Sequence, residues 1–404
     1  MRFRFSSGAR TCALLVAILA ACASTGETTT DAPDDGGNTV IPEIDASADG
    51  GIRVYEGGAR DADTRVPEIC SEDDFCHSAV APGTHFRSVW GDGTGVVWAV
   101  SLEQDVLRWD GTSWNVHYHS DSPISAIWGS GPTDLWVAAG TGLLHGTGDS
   151  SAQVAFAPVT SYLPGDQEVP FRTVWGTGPR DVWAIGGASE AVNQPMRARV
   201  LHYSDDPDLG LGWHFDSELS AQPISFLGVH GTPVTGLWLY GVEHDVEAVS
   251  TEPRVLHRPP GATTWTAITL PLPTDPFARV VEIDSAWTTS DGAVWLVATT
   301  VAPRTVLFHG TSADGGATFA WELRDADALR PVSAMWGVAG DDVWVVGKTG
   351  LVKHWDGSTW SQAVTSVNDI LVLQRFWAIW GTSNDDFWIV GDEIALHRTR
   401  GGKP

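Results

Sequence analysis

At seven places along this chain of 404 residues, two aromatic residues stand eight positions apart around a turn rich in Gly and Asp and an apolar run. Self-similarity of this kind indicates that one supersecondary unit has been copied along the chain. Successive units are 38 to 57 residues apart, measured between their first aromatic residues. All the paired residues are tryptophan except His230: Trp90/Trp98, Trp128/Trp136, Trp175/Trp183, His230/Trp238, Trp287/Trp295, Trp336/Trp344 and Trp380/Trp388.

The repeating unit contains four segments of about 4–6 residues that are rich in Val, Ile, Trp and Thr and bounded by turn residues, which is typical of strands. Four short antiparallel strands per unit is the size of a propeller blade. The second segments, such as Asp181 to Gly186, are apolar almost throughout, as expected of strands covered on both faces. The sequence therefore predicts an all-β fold, a seven-bladed β-propeller of four-stranded antiparallel blades over residues 84–400.

The seventh unit lacks a fourth strand. In the other units that strand begins near an aromatic residue: Trp114, Phe156, Trp213, Trp265, Trp321 and Trp360. In the last unit the third strand ends at His397, and the given sequence ends soon afterwards at Pro404. We expect a segment between Cys70 and Val80 to supply the missing strand, which makes residues 69–83 a Cys-bridged lead-in that closes the ring.

The N-terminus has the pattern of a processing signal. Three arginines are followed by an apolar run too short to span a bilayer, which ends in Leu19-Ala20-Ala21-Cys22. This end resembles bacterial lipoprotein precursors, whose lipobox ends in the Cys that is cleaved and acylated. The resemblance implies a signal peptide over residues 1–22 and lipidation of Cys22. Ala23 follows instead of the Asp that favours inner-membrane retention, which implies the outer membrane. The alternative is an ordinary secretory signal.

Residues 23–68 are rich in Gly, Asp, Thr, Ala and Pro and poor in bulky apolar residues, which predicts a disordered acidic tether. The net charge of −26 argues against nucleic acid and against docking on anionic lipid. It suits a partner that is cationic or uncharged. Outside the cytoplasm Cys70 and Cys76 should form a disulfide. A metal site there would need further ligands besides His77; no metal and no cofactor are expected.

One segment resembles a known repeat. Residues 312–319 fit the pattern Ser-x-Asp-x-Gly-x-Thr-Trp/Phe through Ser312, Asp314, Gly316, Thr318 and Phe319. The pattern is similar to the BNR (Asp-box) repeats of sialidase-like propellers, and residues 86–400 also resemble uncharacterised bacterial envelope propellers. In that family the box is a structural turn between the third and fourth strands. The Arg cluster and Tyr nucleophile that sialidase chemistry needs are not evident in the sequence, so no catalytic residue is assigned.

Two polar positions recur in the repeat. Histidines stand in the third strand of six units: His145, His202, His257, His309, His354 and His397. Because equivalent positions of neighbouring blades lie far apart compared with a metal–ligand bond of about 2 Å, we expect each His to pair with the second Trp of its own blade. Asp134, Asp181, Asp342 and Asp386 are interpreted as turn caps. Where Val96, Gly236 and Ala293 stand instead, looser turns are expected.

Long loops point to one face of the predicted ring. The links between second and third strands are long in units three and four, and several links between units are also long; in a propeller both classes emerge on the same face. Loops on a rigid scaffold are where function concentrates. Glu243, His244, Asp245 and Glu247 form a candidate polar or cation-binding patch there, and a solvated acidic loop is the alternative.

The leading functional hypothesis is a lipid-anchored monomeric propeller that acts as a binding or scaffold module for a glycan or an envelope protein, with the membrane as its second partner. One alternative is a polysaccharide hydrolase or lyase, whose sign would be two carboxylates about 5–10 Å apart at the mouth of the channel. The other is an envelope assembly factor similar to the BNR-type propellers of photosystem assembly.

Overall fold

The computed structural model describes residues 69–161, 163–188, 196–245, 250–271, 273, 278–302, 304–324 and 330–399. The predicted signal peptide (residues 1–22), the predicted lipidation site Cys22 and the predicted tether (residues 23–68) lie outside the described residues. Residues 65–404 form a compact unit of their own. Within it the strands form seven antiparallel sheets of four strands each, arranged as a ring. The predicted seven-bladed β-propeller is therefore confirmed.

The blades are numbered one to seven along the chain, and each blade begins with its innermost strand. Blade one contains Phe86–Gly91, Val97–Ser101, Asp105–Trp109 and Trp114–His119. Blade two contains Ile124–Gly131, Asp134–Ala139, Gly142–Thr147 and Ala155–Pro158, with a 3₁₀ turn at Ser151–Gln153. Blade three contains Phe171–Gly178, Asp181–Ala188, Arg197–Asp206 and Gly210–Phe215, and is followed by a one-turn helix, Ser217–Ser220.

The remaining blades follow the same order. Blade four contains Ile224–Thr232, Gly236–Asp245, Ser250–Arg258 and Thr266–Ala267. Blade five contains Val280–Thr288, Ala293–Thr300, Thr305–Thr311 and Ala320–Arg324. Blade six contains Val332–Ala339, Asp342–Gly347, Val352–Trp355 and Trp360–Gln362. Blade seven contributes Phe376–Ser383, Asp386–Gly391 and Ile394–Thr399 in the C-terminal part of the chain.

The fourth strand of blade seven comes from the other end of the chain. Phe75–His77 pairs antiparallel with Ile394–Thr399, and Phe75 lies opposite Arg398. Cys76 lies within this strand and forms a disulfide with Cys70, which precedes the strand. Residues some 320 positions apart in sequence, such as Ser78 and Ala395, are hydrogen-bonded there. The ring is thus closed by backbone hydrogen bonds between its first and last strands.

The consecutive antiparallel order fixes two faces. Links between second and third strands and links between blades emerge on one face, which we call the long-loop face. The turns between first and second strands and between third and fourth strands lie on the opposite face, called the short-turn face. The first strands of neighbouring blades contact one another all around the ring, and blade seven contacts blade one. They therefore surround the central channel.

The Trp-Gly dipeptide at the end of most first strands has a packing reason. The indole of Trp90 lies against Gly129 of the next blade, and the indole of Trp380 lies against Gly91. A Cβ added to Gly129 would stand 2.8 Å from the Trp90 ring, and one added to Gly91 would stand 2.3 Å from Trp380. At Gly91 and Gly129 the glycine is therefore required because the tryptophan of the preceding blade occupies the space of a side chain.

This packing predicts different effects for two glycines of the same strand. Gly129→Ala should lower the free energy of unfolding by about 1–3 kcal/mol, since the added methyl overlaps Trp90 and Leu135. Gly131 has no atom within 4 Å of an added Cβ, so Gly131→Ala should change it by about 0.5 kcal/mol or less. Chemical denaturation of both variants measures this. Equal losses would contradict the packing argument.

Ring closure predicts a large effect of a single residue that is far in sequence from blades six and seven, which it contacts. Phe75 is fully buried and contacts Trp344 and Phe387 edge-on. Phe75→Ala should therefore cost about 3–5 kcal/mol of stability. The exposed Leu102 serves as control, and Leu102→Ala should cost about 0.5 kcal/mol or less. A Phe75→Ala protein as stable as the control would mean that this strand does not close the ring.

Candidate functional site

The repeated histidines are structural. In six blades the second Trp lies opposite the third-strand His in the register, and the two rings stack with centroids 3.8 to 4.2 Å apart and nearly parallel planes. In blade two, for example, Trp136 pairs with His145. The predicted cross-strand pairs are confirmed. Each of these His side chains therefore packs on the Trp of its own blade.

The repeated aspartates do more than cap a turn. In blades two, three, six and seven the Asp carboxylate accepts a hydrogen bond from Nε2 of the third-strand His, as Asp134 does from His145 at 2.7 Å. In blades two, three and seven a Ser or Thr hydroxyl of the turn donates to the same Asp. Burial raises the pKa of Asp134, but the bonds from His145 and Ser130 bring it below its ordinary value. The sequence shows both residues, but it does not reveal this link.

The turns between the first and second strands are longer in blades one, four and five than in the other blades, as expected of looser turns, but other side chains cap them. Asp92 accepts from the backbone N–H groups of Thr94 and Val96. In blade four Thr232 and Thr235 bond each other. In blade five the backbone N–H of Gly340 in the next blade donates to Asp291 at 2.9 Å. In these three blades the capping side chain therefore stands at a different position of the turn from the repeated Asp.

The segment 312–319 forms a hydrogen-bonded turn between the third and fourth strands of blade five. Asp314 accepts from the backbone N–H of Thr318 at 2.9 Å and from its hydroxyl at 2.6 Å. These bonds, together with one from the Ser312 hydroxyl, lower the pKa of Asp314 to about 2. Gly316 has a positive φ and closely approaches the backbone of Val234 in blade four. Phe319 packs edge-on against Trp238. All five residues therefore serve the turn and its packing.

The predicted acidic patch is only partly within the described residues. Glu243 accepts from Nε of Arg254 at 2.5 Å. His244 and Asp245 end the second strand of blade four, but their side chains and all of Glu247 lie outside the described part. Arg254 also lines a cleft of 450 Å³ between blades four and five, whose apolar wall includes Val255, Leu270 and Phe308. Glu243 is thus one half of an ion pair beside this cleft.

A second and more distinctive cluster lies at the mouth of the central channel on the long-loop face. In six blades the register of the first and second strands shifts near the start of the first strand. Such a bulge leaves one residue unpaired and redirects its side chain. The unpaired residues of this bulge are Arg87, Ser125, Arg172, Leu227, Ser333 and Trp377; in blade five, bulges leave Val281 and Asp284 unpaired.

Trp377 is the centre of this mouth. The guanidinium of Arg375 lies 3.3 Å from the centroid of its ring, and that of Arg87 from blade one lies 4.1 Å away. Its Nε1 donates to Asp392 at 2.8 Å, and Asp392 also stands 3.8 Å from Arg87. Cation–π contacts of this kind hold both the ring and the guanidinium groups in place. The result is a half-buried aromatic surface flanked by two cations.

Two carboxyl groups of blade five face the same mouth. Burial raises the pKa of Glu282, and the charge of Asp284 adds to the effect while Arg172 of blade three opposes it. Burial likewise raises the pKa of Asp284. The hydrogen bond that its carboxylate accepts from the Thr299 hydroxyl at 2.8 Å and the charge of Arg375 in blade seven oppose this effect. Charged groups of blades one, three, five and seven therefore converge on the channel. Sequence reasoning missed them, since their convergence depends on the bulges.

The described residues contain no group of three or more His, Cys, Asp or Glu arranged to hold a metal ion. The same part of the chain has no helix of the length and hydrophobicity needed to cross a membrane.

Comparisons with known proteins agree on the fold. No family model and no curated protein matches the chain. Among solved structures, YCF48 bound to D1 peptide superposes with a TM-score of 0.56 at 16% identity, covering 83% of this chain and 99% of that one. YCF48 from Cyanidioschyzon merolae gives 0.54 at 15% identity, with coverages of 81% and 98%. The GH74 enzyme of Niastella koreensis gives 0.52 at 12%, with 82% of this chain and 54% of that chain covered. At these identities the likeness shows a β-propeller and nothing finer.

His230 replaces tryptophan in the inner ring, and its surroundings predict how it titrates. Its ring lies 5.3 Å from that of Trp175 and 4.4 Å from that of Trp287, and Nδ1 bonds the Thr288 hydroxyl at 2.8 Å. Burial lowers the pKa of His230 to about 3. The unfolded chain takes up this proton near pH 6.5, so the contribution to stability is complete above pH 6.5 and is lost as the pH falls toward 3.

NMR titration of the His230 ring should therefore show a neutral imidazole down to about pH 4. In His230→Phe the denaturation midpoint should fall less between pH 6.5 and 4 than in the unaltered protein. A His230 pKa near 6.5 would contradict this description of the inner ring.

Proposed function

We propose that this protein is a lipid-anchored β-propeller that binds a glycan or an envelope protein at the channel mouth of its long-loop face. The observation that carries the proposal is the convergence of Arg87, Arg375 and Trp377 with Asp392 on a rigid ring. Residues that project from bulges on a closed scaffold are already ordered before binding, so little ordering entropy is lost on association. A half-buried indole with fixed polar neighbours is also typical of binding hot spots.

The proposed location follows from the N-terminal residues. The lipobox Leu19 to Cys22 supports a lipid anchor, and Ala23 after it supports attachment to the outer membrane. The acidic composition of residues 23–68 supports a tether between the anchor and the propeller. The turn at Ser312 to Phe319 supports a place among Asp-box propellers. We propose a monomer, because the ring buries its repeated aromatic surfaces internally.

The comparisons are compatible with a binding role. One of the YCF48 structures contains a D1 peptide, so a propeller of this general shape accommodates a peptide partner in that protein. The assembly-factor alternative is a special case of the same role. It predicts one stoichiometric partner, whereas glycan binding predicts saturation by a soluble oligosaccharide.

A hydrolase remains the second candidate because of one observation. Glu282 and Asp284 stand at the channel mouth with raised pKa values, and glycosidases use a protonated carboxyl together with an ionised one. In this alternative Glu282→Gln would abolish cleavage of a polysaccharide without weakening its binding.

Binding experiments with the domain from Glu68 to the C-terminus test the proposal. A glycan array and a pull-down from envelope extract should each be run with the unaltered domain and with Trp377→Ala. The variant should lose at least about tenfold in affinity, as expected when a hot-spot aromatic is removed. Trp360→Ala, which changes an indole remote from the mouth, is the control for general damage.

Two results would contradict a binding module. One is the absence of any enriched glycan or protein, and the other is glycoside cleavage that depends on Glu282. Retention of full binding by Trp377→Ala would contradict the placement of the ligand at the mouth.

A further inference from the structure

Five aliphatic side chains are exposed on the long-loop face, where the N-terminal lead-in meets the link between blades six and seven. Ile370 and Leu371 are each 73% exposed, and Leu373 is 63% exposed. Ile69, Ile370 and Leu371 line one cleft of 320 Å³. We call the surface of Ile69, Val364, Ile370, Leu371 and Leu373 the apolar shelf. Concentrations of exposed apolar side chains of this kind mark interaction sites.

The shelf is held in place by hydrogen bonds. Val367 to Ile370 is a tight turn in which the Ile370 N–H donates to the Val367 carbonyl at 3.1 Å, and Asn368 and Asp369 have φ values of 53° and 61°. Two central residues with positive φ are the signature of a type I′ turn. The turn projects Ile370 and Leu371 in a defined direction, so their exposure is built into the fold.

The lead-in fixes the same segment from its other side. The Val364 N–H donates to the Asp73 carboxylate at 2.6 Å, and the Ser71 hydroxyl donates to the Val364 carbonyl at 2.6 Å. A ring nitrogen of His77 bonds the Thr365 carbonyl at 2.8 Å. Closure of the ring and presentation of the shelf therefore depend on the same residues, 71–77.

Three carboxylates lie along the shelf on the side of the lead-in and at its turn. Asp369 forms the tip of the turn, Glu393 lines the cleft, and Asp73 accepts the hydrogen bond from the Val364 N–H. The nearest cation along the chain, Arg375, is turned toward Trp377 in the mouth. An apolar centre with an acidic rim complements a partner with an apolar centre and a basic rim. The same rim repels anionic lipid, and aliphatic side chains lack the aromatic face on which sugar rings stack.

We propose that the apolar shelf docks a basic amphipathic segment of a protein partner, with aliphatic side chains on one face and lysine or arginine beside them. This inference rests on the proposed function, and it names a protein as the partner class of the long-loop face. Helices and strands that place apolar residues on one face and cations beside them are common recognition elements. The shelf offers an apolar cleft for the apolar residues of such an element and carboxylates for its cations.

The test uses the domain from residue 65 to 404, which is a compact unit, and two fluorescent 14-residue probe peptides. Both peptides have leucine on one helical face; one has lysine and the other glutamate at the remaining positions. Fluorescence anisotropy should show that the Leu/Lys peptide binds at least tenfold more tightly than the Leu/Glu peptide. Ile370→Ser/Leu371→Ser should weaken the Leu/Lys complex at least tenfold.

The matched control is Leu209→Ser. Leu209 is 74% exposed but lies in the turn between the third and fourth strands of blade three, on the short-turn face. Its replacement should leave affinity for the Leu/Lys peptide within twofold, and thermal melting checks that all variants are folded. Equal weakening by Leu209→Ser, or no weakening by the shelf variant, would overturn the proposal.

Other occupants of the shelf are separate outcomes. Flotation with phosphatidylethanolamine/phosphatidylglycerol vesicles tests a membrane surface, and sedimentation equilibrium tests a second copy of the chain. If either is abolished by the shelf variant while the Leu/Lys peptide does not bind, the proposal is wrong. If a ligand still requires Trp377 but is indifferent to the shelf variant, only the shelf inference fails; if binding at both surfaces is absent, the binding module itself fails.

Discussion

The structure depends on an aromatic contact that passes from each blade to the next. In six blades the second Trp stacks on the third-strand His of its own blade. In all seven blades the second Trp meets, close to edge-on, the fourth-strand aromatic of the following blade. Trp98 meets Phe156 in this way, and Trp388 of blade seven meets Trp114 of blade one. The corresponding contact from blade six is made by Trp344 with Phe75. Seven such contacts therefore form a closed cycle, and the last requires a residue from the N-terminal lead-in. Buried aromatic pairs of this geometry contribute about 0.5–1.5 kcal/mol each beyond their burial.

The candidate binding surfaces follow from this closed ring. The first strands are held against each other around the axis, and the bulge residues Arg87 and Trp377 lie where two of these strands begin, at the channel mouth. Arg87 and Trp377 are almost 300 residues apart in sequence, yet they are in contact because blades one and seven are neighbours. The same closure brings Ser71 and Asp73 to the segment that carries the apolar shelf. The lead-in thus links the closure of the fold with the surface proposed to bind a partner.

Much of the fold was predictable because it is repeated. Seven copies of one pattern identify the strands, and the position of each third-strand His predicts its stacking on Trp. The link from Asp134 to His145 was not predicted, since a turn residue and a strand residue give no periodic sign of sharing a hydrogen bond. The mouth was not predicted for a different reason: Arg87, Arg172, Asp284 and Trp377 differ from blade to blade, so the repeat pattern gives them no prominence. For the link between blades six and seven, which contains Ile370 and Leu371, the sequence predicted only its length. The exposure of these two side chains depends on tertiary contacts that the sequence does not show.

The most direct test of the closed ring of aromatic contacts is a double-mutant cycle on Trp344→Leu and Phe75→Leu, in which chemical denaturation measures the stability of each variant. A ring closed through this contact should give a favourable coupling of about 0.5–1.5 kcal/mol between these residues, which lie in blade six and in the N-terminal lead-in. The pair Trp344→Leu and Phe215→Leu, whose members lie in different parts of the ring, should be additive within about 0.5 kcal/mol. Additivity of the Trp344 and Phe75 substitutions would contradict a ring closed through this aromatic contact.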